Sequence, residues 1–157
     1  MGRASFLSPL LTEIMLPETQ RSGEVGDELL ADRLRRAGIA LTLQRLVIAR
    51  VLLAHPIHLT ADQVWGRAKE LMPEISRATV YNTLDLFERS GLLRRLIIDA
   101  DKVVFDSNTQ PHHHLYDSST GEVFDIAPGE IKVIGMPNLP AGVELEDVDV
   151  VVRVRRR

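Results

Sequence analysis

The chain has 157 residues, of which 45% are hydrophobic and only 4% aromatic, with no cysteine and a formal net charge of −3. That length allows one domain or two small ones sharing an interface, with a core of Leu, Val, Ile and Ala. The missing cysteines exclude disulfides, thiolate metal sites and a cysteine nucleophile, and no apolar run reaches membrane-spanning length. The first 26 residues lack the basic-then-apolar order of a secretory signal, so a cytoplasmic protein is expected. The small net charge conceals a polarity. From Arg33 to Arg95 there are 11 basic and 5 acidic side chains, and from Leu96 to Val150 there are 2 and 11. A basic segment beside an acidic one is the pattern of an anion-binding module joined to a cation-binding module.

In chain order, residues 1–26 read as an irregular arm with a short helix near Leu10–Leu16. Asp27–Ala37 is predicted as a first helix, with Leu30 and Leu34 on one face and Gly38 closing it. Thr42 caps a second helix, Leu43–Ala54, whose spacing comes from Leu46, Val47, Arg50, Val51 and Ala54. Thr60 and Gln63 form a capping-box pattern opening a third helix, which runs to about Leu71 with Val64, Trp65 and Ala68 inward. Ser76 caps a fourth, ended by Gly91, with Val80, Leu84 and Phe87 at core spacing. Arg77, Thr79, Tyr81 and Asn82 lie near its exposed N-terminal turns, the part of a recognition helix that enters a major groove.

After Gly91 the texture changes. Leu92–Ile98 and Lys102–Phe105 are β-rich around an Asp99-Ala100-Asp101 turn. Short helices followed by a hairpin is the order of a winged helix-turn-helix. Then come strands at His114–Tyr116 and Glu122–Ile126, a brief helix near Glu130–Ile134, and a final valine-rich strand, Val148–Val154. The expected class is α+β: an irregular arm (1–26), a winged-helix DNA-binding domain (27–106) and a small α/β dimerisation and sensing domain (107–157). The last is too short to bury much surface alone, and a homodimer solves that while supplying two-fold symmetry for paired DNA half-sites.

Pro111-His112-His113-His114-Leu115 carries the second signal. On a strand, His112 and His114 share a side and His113 faces away. Asp106, Asp125 and His58 are available partners. Imidazole and carboxylate ligands suit Zn²⁺, Fe²⁺ or Mn²⁺. The candidate metal set is therefore His58, Asp106, His112, His113, His114 and Asp125.

These segments resemble the ferric uptake regulator family. The marks are Gly38–Arg45, His58–Trp65, Ala78–Leu84, Val103–Asp106, the histidine run and Gly121–Asp125, in family order over most of the chain. The compact histidine run and the missing cysteines resemble its haem-responsive iron response regulator branch. The resemblance implies a homodimeric regulator, mainly a repressor, that senses metal and binds a palindromic operator of iron and haem genes. It implies a sensory metal site on His58, Asp106, one or two of His112, His113 and His114, and Asp125, and haem binding, or contact with a haem-delivering protein, at the triplet. The CxxC pair of a structural zinc site in many relatives is replaced here by Asp117 and Thr120, and a third family site meets Val148 in place of a histidine. Both sites should be absent.

Arg45, Ser76, Arg77, Thr79, Tyr81 and Asn82 are the expected DNA-contacting residues. Arg45 and Arg77 suit phosphate or base contacts, Tyr81 a thymine methyl and Asn82 an adenine. A metal-independent winged-helix regulator is one alternative. A histidine and carboxylate metalloenzyme is another, disfavoured because no HExxH pattern is present.

Overall fold

A computed structural model describes residues 18–157, with side chains from Gly26 onward. The helix expected at Leu10–Leu16 lies outside the described residues. Four helices come first: α1 (Glu18–Arg36), α2 (Leu43–Leu53), α3 (Ala61–Leu71) and α4 (Arg77–Arg89). Six strands are interleaved or follow: β1 (His58–Leu59), β2 (Arg94–Asp99), β3 (Lys102–Asp106), β4 (His113–Asp117), β5 (Glu122–Ile126) and β6 (Val151–Val154). The class is α+β.

The predicted caps have local causes in the structure. Thr42 accepts from the Arg45 amide, Thr60 and Gln63 form the reciprocal capping box, and Ser76 accepts from the Thr79 amide. Gly38 and Gly91 end α1 and α4 at φ 73° and 72°, a conformation cheap only for glycine. There the amides of Ile39 and Leu92 close back on the carbonyls of Leu34 and Phe87. α1 begins nearer the N-terminus than Asp27 and runs through Gly23 and Gly26, so residues 18–26, expected to belong to an irregular arm, are helical.

α2 is the central helix, packed against α1, α3 and α4. For that reason its buried residues (Val47, Ile48, Ala49, Val51, Leu52 and Leu53) cover most of its circumference rather than one stripe. Arg50 and Ala54, which the spacing placed on the inner face, are exposed, and Arg50 pairs with Asp27 of α1. Val64 and Ala68 of α3 and Val80, Leu84 and Phe87 of α4 complete the core, closed by Leu59, Leu93 and Phe105.

The strands form two sheets, ordered β1-β3-β2 (all antiparallel) and β5-β4-β6, in which β6 runs parallel to β4. Side chains alternate along β3. Phe105 faces the helices, while Val104 joins Leu96 and Ile98 in a second cluster against Tyr116, Val123 and Val151 of the other sheet. Ties between the sheets add to this contact: Arg94 with Asp147 and Asp149, Arg153 with Asp99, and Lys102 with the Gly121 carbonyl.

Two further expectations need correction. The predicted helix at Glu130–Ile134 does not form, and no helix or strand spans 127–150. So short a helix needs a packed face to persist, yet Val133 and Ile134 are exposed, and Pro128, Gly129, Gly135 and Pro137 flank the segment. The final strand starts at Val151 rather than Val148, because pairing with β4 begins at His114↔Val151. No helix among the described residues is long and apolar enough to cross a membrane.

Candidate metal centre

β1 has only two residues and shows no periodicity in the sequence, yet it determines the site. It pairs with the end of β3, His58↔Asp106 and Leu59↔Phe105. Leu59 and Phe105 face the helical core, so alternation turns His58 and Asp106 toward the second sheet. There, His114 of β4 is paired with Asp125 of β5, and His112 stands two residues before His114 on the same side.

One donor atom from each of His58, Asp106, His112, His114 and Asp125 lies within 4.8 Å of every other. The His114 and Asp106 side chains are 1% exposed, and those of His112 and His58 only 7% and 9%. The rings are in contact: centroids lie 4.3 Å apart for His112–His114 and 5.3 Å for His58–His114.

His114 Nε2 and Asp106 Oδ2 share one hydrogen bond at 3.3 Å, while the other polar contacts within the cluster have distance without direction. His58 Nε2 lies 3.0 Å from Asp125 Oδ1 and 3.5 Å from Asp106 Oδ1, and His112 Nε2 lies 3.1 Å from one oxygen of each carboxylate. Neither nitrogen makes an aligned hydrogen bond, and buried His114 Nδ1 has no partner. Orphaned buried polar atoms are costly. Donors aimed at a common centre rather than at each other are what a cation site requires. The two carboxylates carry the charge that a divalent ion offsets, and a nitrogen and oxygen set suits Fe²⁺, Mn²⁺ or Zn²⁺. The residues fit such an ion.

The surrounding loop orients the ligands. His112 Nδ1 lies 2.6 Å from the Gln110 carbonyl. A carbonyl only accepts, so Nδ1 carries a proton, which in a neutral ring leaves Nε2 its lone pair for a metal. Asn108 spans both carboxylates: its amide donates to Asp106 Oδ1 (2.7 Å) and its Nδ2 to Asp125 Oδ2 (3.0 Å). Burial alone would push the Asp106 carboxyl up, but contacts with His114 and His58 and the Asn108 amide outweigh it and hold the group well below the usual carboxylate range. Asn108 and Gln110 were not legible beforehand, because a polar residue in an aperiodic loop carries no local signal of its partner.

His113 lies outside this group, which corrects its place in the candidate metal set. Its Nδ1 faces the Val150 amide at 3.4 Å, and it lines a cavity of about 280 Å³ with Ile126, Ile131 and Val148. Strand alternation is the reason. Asp117, at the position of the missing CxxC pair, is buried and paired with Arg156 at 2.8 Å. The guanidinium holds its carboxyl below the usual range.

The residues expected to meet DNA divide into three groups. Ser76 and Thr79 engage each other at the N-terminus of α4, with hydroxyls 2.9 Å apart. Arg77, Tyr81 and Asn82 are exposed on α4. Arg45 is turned toward its own loop, donating to the Ala40 carbonyl at 2.6 Å.

Comparison with known proteins places the chain among metal uptake and peroxide-responsive regulators by similarity. A peroxide-responsive repressor of Staphylococcus epidermidis is 36% identical over 92 residues, which is 59% of this chain and 61% of that protein. The chain thus spans about three fifths of that relative's length. A zinc-bound manganese uptake regulator matches with TM-score 0.65 and 26% identity, covering 82% of this chain and 98% of the other. The ferric uptake regulator of Pseudomonas aeruginosa, solved with manganese, matches with TM-score 0.59 and 29% identity over 81% and 97%. The model of the ferric uptake regulator family matches residues 36–153, so the chain belongs to that family, whose members are transcription regulators and not enzymes.

Proposed function

We propose that the chain is a metal-responsive, dimeric, cytoplasmic transcription regulator, mainly a repressor, that binds palindromic operator DNA. The observation that carries this reading is the five-residue cluster bridging the two sheets. His58 comes from the segment between α2 and α3, and His112, His114 and Asp125 come from the second sheet. We assign 27–106 to a winged-helix domain, with β2–β3 as its wing, and 107–157 to the sensing and dimerisation domain. Exposed Phe124, Ile134, Met136, Leu139, Val143 and Leu145 in the latter supply apolar surface for a second copy.

A bound divalent cation supplies positive charge that offsets Asp106 and Asp125. The chain's own residues do the rest. His58 carries the movement of the helical half, because β1 joins α2 to α3 directly. Asn108 keeps the carboxylates converged, and Gln110 keeps His112 in the ligating tautomer. In a dimer, the angle between the halves sets the separation of the two α4 helices, and therefore which half-site spacing fits. Site-to-site couplings of this kind are typically ~1–3 kcal/mol.

The test is fluorescence anisotropy on a labelled duplex enriched from a random pool, in chelator and with Mn²⁺, Zn²⁺ or anaerobic Fe²⁺. At least one metal is expected to tighten binding by roughly 5- to 150-fold. Equal affinity in all four conditions would favour the metal-independent alternative.

The finer assignment to the haem-responsive branch has one supporting observation: His113, free of the cluster, beside an apolar cavity. We propose that haem ligation starts from His113, leaving His112 and His114 to the metal. His113→Ala is then expected to remove the haem-induced absorbance change while zinc affinity stays within about twofold of wild type. Retention of that change would place the haem ligand elsewhere.

A further inference from the structure

Asp62 stands in the first turn of α3 and is not among the residues expected to contact DNA. Its Oδ1 nevertheless lies 3.2 Å from Arg77 Nη1 and 3.5 Å from the Tyr81 hydroxyl, at the outer limit of a hydrogen bond. The Arg77 guanidinium also lies 4.3 Å over the ring of Trp65, one helical turn along α3. Trp65 is itself anchored, its Nε1 donating to the Ile75 carbonyl just ahead of the α4 cap at 3.2 Å. Arg77 is therefore held by one edge and one face. Two other carboxylates line the cleft beside Asp62 and Tyr81: Asp85 is taken up by Arg95 at 2.6 Å, and Asp101 is exposed in the β2–β3 turn.

A carboxylate here weakens binding to any nucleic acid, because it repels phosphate and neutralises a cation. Its usefulness lies in orientation. A guanidinium has five N–H donors in a rigid fork. Asp62 engages Nη1 and the Trp65 ring lies against the guanidinium, which leaves other donors for a partner. An unrestrained arginine binds phosphates wherever it finds them, whereas one held in place is ready for a bidentate contact with the O6 and N7 of guanine.

Resting on the reading of α4 as the DNA-facing helix, we propose that Asp62 is a specificity-determining positioning residue. It buttresses Arg77 against Trp65, so that Arg77 reads a G·C pair rather than serving as a general phosphate contact.

The test compares the 157-residue wild-type chain with Asp62→Ala, Asp62→Asn and Arg77→Ala, all with Mn²⁺. Each binds the enriched duplex, a scrambled duplex, and duplexes with each G·C pair replaced in turn. Asp62 is exposed, and melting curves verify that each variant is folded. Both Asp62 variants are expected to bind scrambled DNA as well as or better than wild type. Their ratio of specific to scrambled affinity should fall on the order of tenfold, and the penalty for replacing one particular G·C pair should shrink. Arg77→Ala should weaken specific binding by about tenfold or more and abolish that same penalty. An unchanged ratio in the Asp62 variants, or a parallel change on both duplexes, overturns the buttress while leaving the DNA-facing helix intact. Wild-type binding by Arg77→Ala removes the helix reading itself, and the proposal with it.

Discussion

Asp106→Asn lowers affinity for Mn²⁺ or Zn²⁺ by at least 10- to 100-fold in isothermal titration. Loss of an outer residue that merely orients a ligand already costs that much, and Asp106 is closer in: it touches His58, His112 and His114 directly. The substitution keeps the shape and an acceptor for the Asn108 amide but removes the charge. Metal-free stability should also fall by about 1.5–3 kcal/mol, the usual worth of buried hydrogen bonds to a charged group, read as a lower urea midpoint. The sign of the pH dependence follows from the depressed carboxyl. Its contribution is fully present above the ordinary aspartate value of about 3.9 and fades at more acid pH, as the folded carboxyl takes up its proton. The variant should therefore lose less stability than wild type on acidification below about pH 4. Wild-type metal affinity in Asp106→Asn would sink the metal centre as drawn.

Phe87→Ala has the largest expected effect on folding, a loss of about 3–5 kcal/mol. Among the described residues Phe87 is the largest fully buried side chain, at 0% exposure, and it seats α4 against the core with Val80 and Leu84. Against a typical total of ~5–15 kcal/mol, that is a large fraction of the protein's stability. Urea unfolding should show a lower midpoint with an unchanged slope. Leu43→Ala, at a position 65% exposed on α2, provides the contrast and should stay within about 0.5 kcal/mol. A Phe87→Ala loss no greater than that of Leu43→Ala would mean that α4 is not packed as described. Because Leu96, Ile98 and Val104 form a separate cluster with the second sheet, metal affinity of the folded Phe87→Ala protein should be preserved.

Two of the expectations that failed share a physical origin. Glu130–Ile134 has residues that tolerate a helix, and Val148–Val150 residues that favour a strand, but neither local preference decides the outcome without a surface to pack on or a neighbour to pair with. Arg50 failed in a related way. Periodicity assumes one inner face, and α2 is enclosed by three helices.

The sequence by itself determined the elements that carry their own signals. These are the capped ends of α2, α3 and α4, the apolar stripe of α4, the β2–β3 hairpin, and the alternation that separates His113 from His112 and His114. Each rests on interactions within a few residues, so a window of the chain contains the whole cause. Only the tertiary structure decided which donors converge. His58 meets Asp106 because a two-residue strand pairs across an intervening stretch of 47 residues, and Asn108 and Gln110 acquire roles from neighbours that no spacing rule names. The Asp62–Arg77–Trp65 contact likewise joins two helices whose relative placement is decided by the core beneath them. Donor convergence is a property of packed surfaces, and it exists only once the helical core and the second sheet have closed on β3 from opposite sides.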